Sequence, residues 1–426
     1  MSYSLFSVFG VEIEYAVVRK DTLSVDASVD RLIEALAGNP DAHPVFGNVE
    51  ADNELAAHVL ELKCLKPAVD MAAQAGDFAA AIKLVNGALG RWNARLMPGG
   101  MHPFMDPAKE SQLWAHEDRR VYEMYDRIFD CRGHGWFNIQ SVHLNLPFAN
   151  DGEFARLHNA VSLLLPVLPA LAASSPVYDG RHGGWLDGRL FHYVGNQRRL
   201  PSIIGGIVPE PIGSEEEYRE KILAPMYRDI APFDPEGLME EEWLNSRAAI
   251  ARFDRGSIEI RCLDTQERPL ADLALCHWVI SVLRTMLDTG VDLLAAHRKV
   301  PAGLLKALFL DSARYGMAAR IPEGFPRAVF GLPEKPGSPG SQGLETVGEF
   351  LRALTPRAYG SGSRPEAIKA ADSVFAPALG IILSQGNLAE RIMGAAPKPK
   401  LYPDVYRRLC DCLEADEPFT GLPFTC

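Results

Sequence analysis

The chain has 426 residues, 47% hydrophobic and 23% charged, the balance of a globular protein long enough to bury a core without disulfide staples. A net charge of −12, from 43 basic and 55 acidic residues, excludes a general nucleic-acid binder, which needs a basic surface to displace counterions. Seven scattered cysteines with no CxxC pair predict a reduced, cytoplasmic protein. The first ten residues carry no signal-peptide pattern, and no apolar run reaches the roughly 20 residues of a membrane span; the apolar run at 161–173 is short, broken by two prolines, and reads as a core helix.

Residues 8–18 predict a strand in which apolar and acidic residues alternate. A helix follows over about 27–38, opened by Asp26 or Ser28 and closed before Gly38. Residues 45–50 and 57–65 read as extended, and a long helix is expected over 68–96. A Gly/Pro-punctuated loop spans 97–107, helix 109–131, strand 138–147 and helix 151–173. The stretch 176–245 is loop-rich with a short helix near 215–229. Residues 249–264 read as strand, turn and strand. From Leu270 onward the pattern is helical, except for 321–343, whose Pro, Gly and Ser predict a surface loop. No repeat, heptad or interdomain linker interrupts the chain. It reads as one α+β catalytic domain over 1–426, with the sheet and site motifs in 1–265 and a mainly helical part in 266–426.

Four of the strand-like segments carry polar residues at i and i+2 between apolar neighbours: Glu12 and Glu14, Glu61 and Lys63, His143 and Asn145, Glu259 and Arg261. Side chains alternate between the faces of a strand, so each polar pair projects from one face while its neighbours pack on the other. If the four strands share a sheet, one face carries a cluster of carboxylates, an imidazole and an Arg. A half-solvated antiparallel sheet also alternates. However, Glu is depleted in strands, and clustered carboxylates need cations to neutralise them. Hard oxygen ligands suit Mg²⁺ or Mn²⁺. Such a set fits phosphoryl transfer, which runs mainly on positioning and charge neutralisation. It would activate a carboxylate as an acyl phosphate for attack by an amine, with Arg261 neutralising the transferring group. No GxxxxGK[ST] loop is present, so phosphates must be held by metals and Arg.

The segments Gly10-Val-Glu-Ile-Glu-Tyr15, His58-Val-Leu-Glu-Leu-Lys63, Gly100-Met-His-Pro-Phe104, Gln140-Ser-Val-His-Leu-Asn145, Leu171-Ala-Ala-Ser-Ser-Pro176 and Arg252-Phe-Asp-Arg-Gly-Ser-Ile-Glu-Ile-Arg261 occur in an order that resembles the second glutamate–cysteine ligase family, also described as carboxylate–amine ligases, and more distantly glutamine synthetase. Ser312-Ala-Arg-Tyr-Gly316 is similar too. The resemblance implies a glutamine-synthetase-like fold: a curved, largely antiparallel sheet with the active site on its concave face and helices behind. It implies metal ligation by Glu12, Glu14, Glu61, His143 and Glu259, with Glu54 a weaker candidate, and an Arg near the phosphoryl groups at Arg261. Arg252 and Arg255 would hold an amino-acid carboxylate or nucleotide phosphates. ATP would be the co-substrate, Mg²⁺ or Mn²⁺ the cofactor, a glutamate-like carboxylate and an amine the other substrates, and a homodimer the default assembly.

Other residues carry two readings. His102 lines a substrate pocket or caps its turn. Ser174 and Ser175 lack a nucleophile elbow and read as a helix end near the site. His134 reads as a loop contact, Asn145 as a nucleotide or water contact or a plain sheet residue, and Arg314 as a substrate contact or surface ion pair. The competing functions are a guanidino-kinase-like phosphotransferase on the same fold and a non-catalytic nucleotide- or metal-binding regulator. A zinc hydrolase is disfavoured because HExxH is absent.

Overall fold

The computed structural model describes residues 3–334, 345–360 and 366–421. Ten strands occur among them: β1 (Gly10–Arg19), β2 (Val45–Phe46), β3 (Val49–Asn53), β4 (Val59–Cys64), β5 (Ala94–Met97), β6 (Ser141–Pro147), β7 (Val177–Tyr178), β8 (Arg181–His182), β9 (Ala249–Arg252) and β10 (Ser257–Asp264). Eight of them form one open antiparallel sheet in the order β2-β3-β4-β1-β6-β10-β9, with β5 added on β1. β7 and β8 make a separate ribbon. Its turn residues Asp179 and Gly180 both have positive φ, 51° and 67°, as a tight hairpin requires.

β1 organises the sheet. One edge pairs with β4 over Glu12–Ala16; the other pairs first with β6 over Gly10–Ile13 and then with β5 over Ala16–Arg19. In the gap between β6 and β5, the Thr265 hydroxyl donates to the Glu14 carbonyl at 3.0 Å. The odd-numbered residues Val11, Ile13, Tyr15 and Val17 join Leu60, Leu62, Val142, Leu144, Ile258 and Ile260 in one buried cluster. Helices Met71–Leu89, Asp151–Leu164 and Pro269–Asp288 supply Phe78, Ile82, Leu157, Val161, Leu275 and Trp278 to the same cluster. Burying a full Leu, Ile or Val side chain contributes about 1.5–3 kcal/mol, so this face fixes the register of the sheet's central strands β4, β1, β6 and β10. Asp70 and Asn150 cap the first two helices by accepting from Ala72 and Ala73 N–H and from Glu153 N–H.

The opposite face is divided. Toward the end of β1, Ala16 and Val18 pack with Met97 and with Leu388, Ile392, Val405 and Leu409. The C-terminal helices Leu388–Ala395 and Tyr402–Ala415 therefore cover that part, and Asp411 holds Arg95 of β5 at 2.6 Å. The remaining part of this face carries the polar residues.

The α+β, antiparallel architecture is as expected, with several corrections. The helix expected over 68–96 ends at Leu89; a 3-10 turn follows, Asn93 takes a left-handed φ of 57°, and Ala94–Met97 becomes a strand because β1 needs a partner there. Of 109–131, only Arg119–Phe129 forms the long helix, preceded by the short Pro107–Glu110. Within 321–343, Ile321, Phe325, Val329 and Phe330 are buried in the core, so the described portion is no surface loop; residues 335–343 lie outside the described residues. Helix Gly188–Tyr193, inside the loop-rich stretch, was not expected. Two helical runs do reach membrane-span length and hydropathy, Asp151–Ala172 and Pro269–Asp288, against the expectation of none. They are 89% and 78% buried within the fold and serve as its core helices.

Candidate active site

Register brings the polar pairs together. Glu12 lies opposite Lys63 on one side and His143 on the other; Glu14 lies opposite Glu61, and Glu259 opposite Asn145. Directly paired residues share a face, so these side chains form one array. His143 is at its centre. Its Nδ1 lies 3.1 Å from Glu12 Oε2 and 3.8 Å from Glu259 Oε1, and its Nε2 lies 3.0 Å from Ser141 Oγ and 3.7 Å from Glu14 Oε1. The Ser141 amide and hydroxyl donate to Glu14 Oε2 at 2.7 and 3.1 Å. Asn145 donates to Glu12 Oε1 at 3.0 Å.

Two groups bring one ligand atom from each member within 4.8 Å of the others: Glu12, Glu61 and His143; and Glu14, Glu54 and Glu61. Glu54 therefore joins the array, and Glu61 belongs to both groups. Burial, then Glu14, pushes the Glu54 carboxyl up to about 8, and burial, then Glu12 and Glu54, raises Glu61 well above the usual carboxylate range. Burial opposes the His143 cation, but the hydrogen bond to Glu12 and the charges of Glu14 and Glu259 raise it to about 9. Carboxylates this crowded, with only an imidazolium and Lys63 between them, fit a hard divalent cation chemically. A third group, His43, Glu50 and Asp52, lies at the β3 edge, where Lys63 pairs with both acids.

Glu259 is beside the array but in neither group among the described residues. Its Oε1 accepts from Arg261 Nε at 3.0 Å, and its Oε2 is 3.6 Å from Arg252 Nη1. Burial works against its charge, yet Arg261, His143 and Arg252 hold it at about 2. Its carboxylate is thus engaged by two guanidinium groups while staying 3.8 Å from the His143 imidazole.

A β-bulge separates Arg261 from Asp264. Ile260 pairs with Leu144, but Leu263 pairs with Val142, so Arg261 and Cys262 together oppose His143. The extra residue shifts parity. Asp264, opposite Ser141, lands on the same face as Glu259 despite its even number. It is fully buried, accepting from the Ser174 amide at 2.9 Å, the Ser175 hydroxyl at 2.7 Å and Arg189 Nε at 2.5 Å. Arg189 in turn donates to the Arg261 carbonyl at 3.3 Å. Ser174 and Ser175 are therefore anchors for Asp264 at a helix end. Gly100 is required here, because a Cβ would come 2.3 Å from the Asp264 carboxyl.

A cavity of about 240 Å³ opens over Glu14, Glu54, His143 and Arg261. Tyr122, Tyr125, Trp136 and Trp243 wall it, with Arg189, Tyr193 and Gln197. A second cavity, about 320 Å³, lies beyond Glu12 and is lined by Lys63, Asn145, Arg255 and Ser257. The carboxylate array thus separates two chambers. Asn145 and Arg255 border the second; Arg252 is buried against Glu259 and Asp254.

His102 is a correction. It is 1% exposed; Nε2 is 2.6 Å from the Leu23 carbonyl, while Nδ1 accepts from the Phe104 and Met105 amides. Nδ1 caps its own turn, Nε2 ties that turn to Leu23, and the residue lines neither chamber. His134 makes a loop contact with Asp179 at 3.0 Å, as expected. Arg314 stacks over Trp185 and Tyr315. The residues unread in the sequence are Asp264, hidden by the bulge, and Arg189, Tyr193 and Gln197, which come from a stretch with no periodicity. The signal for Arg189 is a Gly on its N-terminal side: a Cβ on Gly188 would meet the Ser175 carbonyl at 2.6 Å.

Fold and site together define an antiparallel-sheet protein with a carboxylate-lined cavity on one face. Residues 8–325 match the Glutamate-cysteine ligase family 2, and the chain belongs to that family. A protein of Archaeoglobus fulgidus is 34% identical over 281 residues, 66% of this chain and 75% of its own length. A Corynebacterium glutamicum protein with the provisional name glutamate–cysteine ligase 2 is 26% identical over 73% of this chain and 76% of its own length. Among solved structures, the glutamate–cysteine ligase of Francisella tularensis in complex with AMP shares the fold, with a TM-score of 0.57 at 13% identity over 97% of this chain and 90% of that one.

Proposed function

We propose that the chain is an ATP-dependent carboxylate–amine ligase that activates the γ-carboxylate of glutamate as an acyl phosphate for attack by an amine, cysteine being the first acceptor to test. The observation that carries this reading is the pair of overlapping carboxylate groups sharing Glu61, with Arg261 and Arg252 alongside. Family membership and the AMP complex of the Francisella tularensis relative support nucleotide use. Glu12, Glu14, Glu61 and His143, joined by Glu54, would hold Mg²⁺ or Mn²⁺. When bound, such ions neutralise the phosphate oxygens around the transferring group.

The chain's own groups do the rest. Arg261 presents its guanidinium to the phosphoryl oxygens, held by Glu259, so Glu259 acts chiefly by positioning Arg261 and Arg252. Asn145 and Arg255 contact substrate in the second chamber. A chamber on either side of the array gives a phosphoryl donor and a carboxylate acceptor separate approaches to one reaction centre. His143 must lose its proton before it can ligate a cation, which couples cation binding to proton release. The whole chain acts as one catalytic unit, and the six cysteines among the described residues, free and mostly buried, suit a reducing compartment.

The test is ADP release with ATP, Mg²⁺ and glutamate across a panel of amines. Amine-dependent ADP together with an amide product is expected. ADP with a stable phosphorylated product and no amide would show the phosphotransferase instead, and no amine-dependent turnover with any carboxylate would overturn the ligase reading.

A further inference from the structure

A third cavity, about 440 Å³, lies outside the two chambers. Arg127, Arg198 and Arg199 line it, with His134 and His192; Asp130 is the acidic residue there. Among the described residues, none of the three arginines has a carboxylate partner. Arg127 contacts the Met124 sulfur, and Arg199 donates to the Ile128 carbonyl at 2.7 Å and lies over the Phe233 ring. In a chain of net charge −12, three arginines without a carboxylate partner among the described residues line one concavity, against Asp130 in its lining and Asp179 on His134, and make a local positive field. Guanidinium forks match phosphate and carboxylate oxygens.

The cavity is also tied to the reaction centre. Trp136 lines both it and the aromatic chamber. Helix Gly188–Tyr193 sends Arg189 and Tyr193 to the chamber and His192 to the basic cavity. In the next turn, Gln197 borders the chamber while Asn196 and Arg198 border the cavity.

We infer that this cavity is an anion subsite, taking the phosphate- or carboxylate-rich end of a small molecule across the Trp136 wall from the reaction centre. The anion is either the far end of the amine acceptor or a free anionic effector; its link to the acceptor rests on the ligase reading, whereas anion binding does not.

The test is calorimetric titration of the full chain with inorganic pyrophosphate, comparing wild type, Arg127→Ala/Arg198→Ala and Arg127→Lys/Arg198→Lys, each checked for an unchanged melting temperature. A loss of affinity of about tenfold or more in the Ala variant, partly restored by Lys, is expected. No saturable binding, or equal binding by wild type and the Ala variant, would overturn the subsite. Steady-state assays then separate the sources. A rise in the acceptor KM confined to the Ala variant assigns the anion to the acceptor. A wild-type rate that responds to pyrophosphate, with a variant rate that does not, assigns it to an effector. Absence of ligase turnover would remove the proposed reaction and leave the binding result standing.

Discussion

Glu61 belongs to both carboxylate groups, so it is crowded by Glu12 on one side and Glu54 on the other and could serve a cation shared between them. Glu61→Gln is expected to weaken Mn²⁺ binding on the order of tenfold or more, measured by electron paramagnetic resonance. In chelator, the same variant is expected to gain on the order of 1 kcal/mol of stability, because folding no longer has to protonate or bury that carboxyl beside Glu12 and Glu54. A variant that loses stability in chelator would contradict the crowding. Gly100→Ala tests the other buried charge: a methyl 2.3 Å from the Asp264 carboxyl must displace it from Arg189. Overpacking of this kind costs about 1–3 kcal/mol, readable by urea unfolding. At this scale the sequence was legible where alternation held, and Glu12, Glu14, Glu61 and His143 meet as their spacing implied. It was not legible for His102, since a turn cap and a pocket ligand share the same residue type. Nor was it for Arg189, which gains its meaning only from contact with Asp264, 75 residues away.

Among the elements, the bulge in β10 decides what the site contains. Without it, Asp264 would share the face of Ile258 and Ile260 and leave Arg189 as a buried charge with its partner gone. Deleting Cys262 is therefore expected to cost about 3–5 kcal/mol or to prevent folding. Cys262→Ala keeps the register and is expected to cost far less, on the order of 1 kcal/mol. Equal stability of the two in guanidinium unfolding would deny the bulge its role. Strand β5 was missed for a related reason: four residues following a long helix carry too little periodicity to stand apart from it, and only the open edge of β1 specifies their pairing. The long helices and the β9–β10 hairpin were legible because their patterns run for several turns or end in Gly256, whose φ of 63° suits a tight turn.

Over the whole molecule, buried histidines oppose stability in acid. Burial lowers His58 to about 3, His102 to about 4, His158 to about 4 and His297 to about 3. Between those values and the unfolded value near 6.5, the unfolded chain binds more protons. Each then removes up to about 1.4 kcal/mol per pH unit as the pH falls. Glu54, at about 8, and His143, at about 9, have the opposite sign. Glu54 adds stability as the pH falls from 8 toward its unfolded value, and His143 does so from 9 toward 6.5. Glu61, Asp187 and Asp272, also raised by burial, share the sign of Glu54 and offset the histidines down to about pH 4.5. In chelator the melting temperature is therefore expected to change little between about pH 7 and 5 and to fall steeply below about pH 4.5, and a profile that stays level to about pH 3 would refute this. The strand at the centre of the sheet has one more consequence, which concerns order of synthesis. β1 is made first, yet His143 arrives about 130 residues later and Arg261 about 250 residues later. Until then the nascent β1–β4 region carries its glutamates with little counter-charge. Their repulsion, only partly met by Lys63, is expected to oppose early settling of that segment into a sheet; pulse-labelled hydrogen exchange that protected β1 and β4 before β6 and β10 would contradict this.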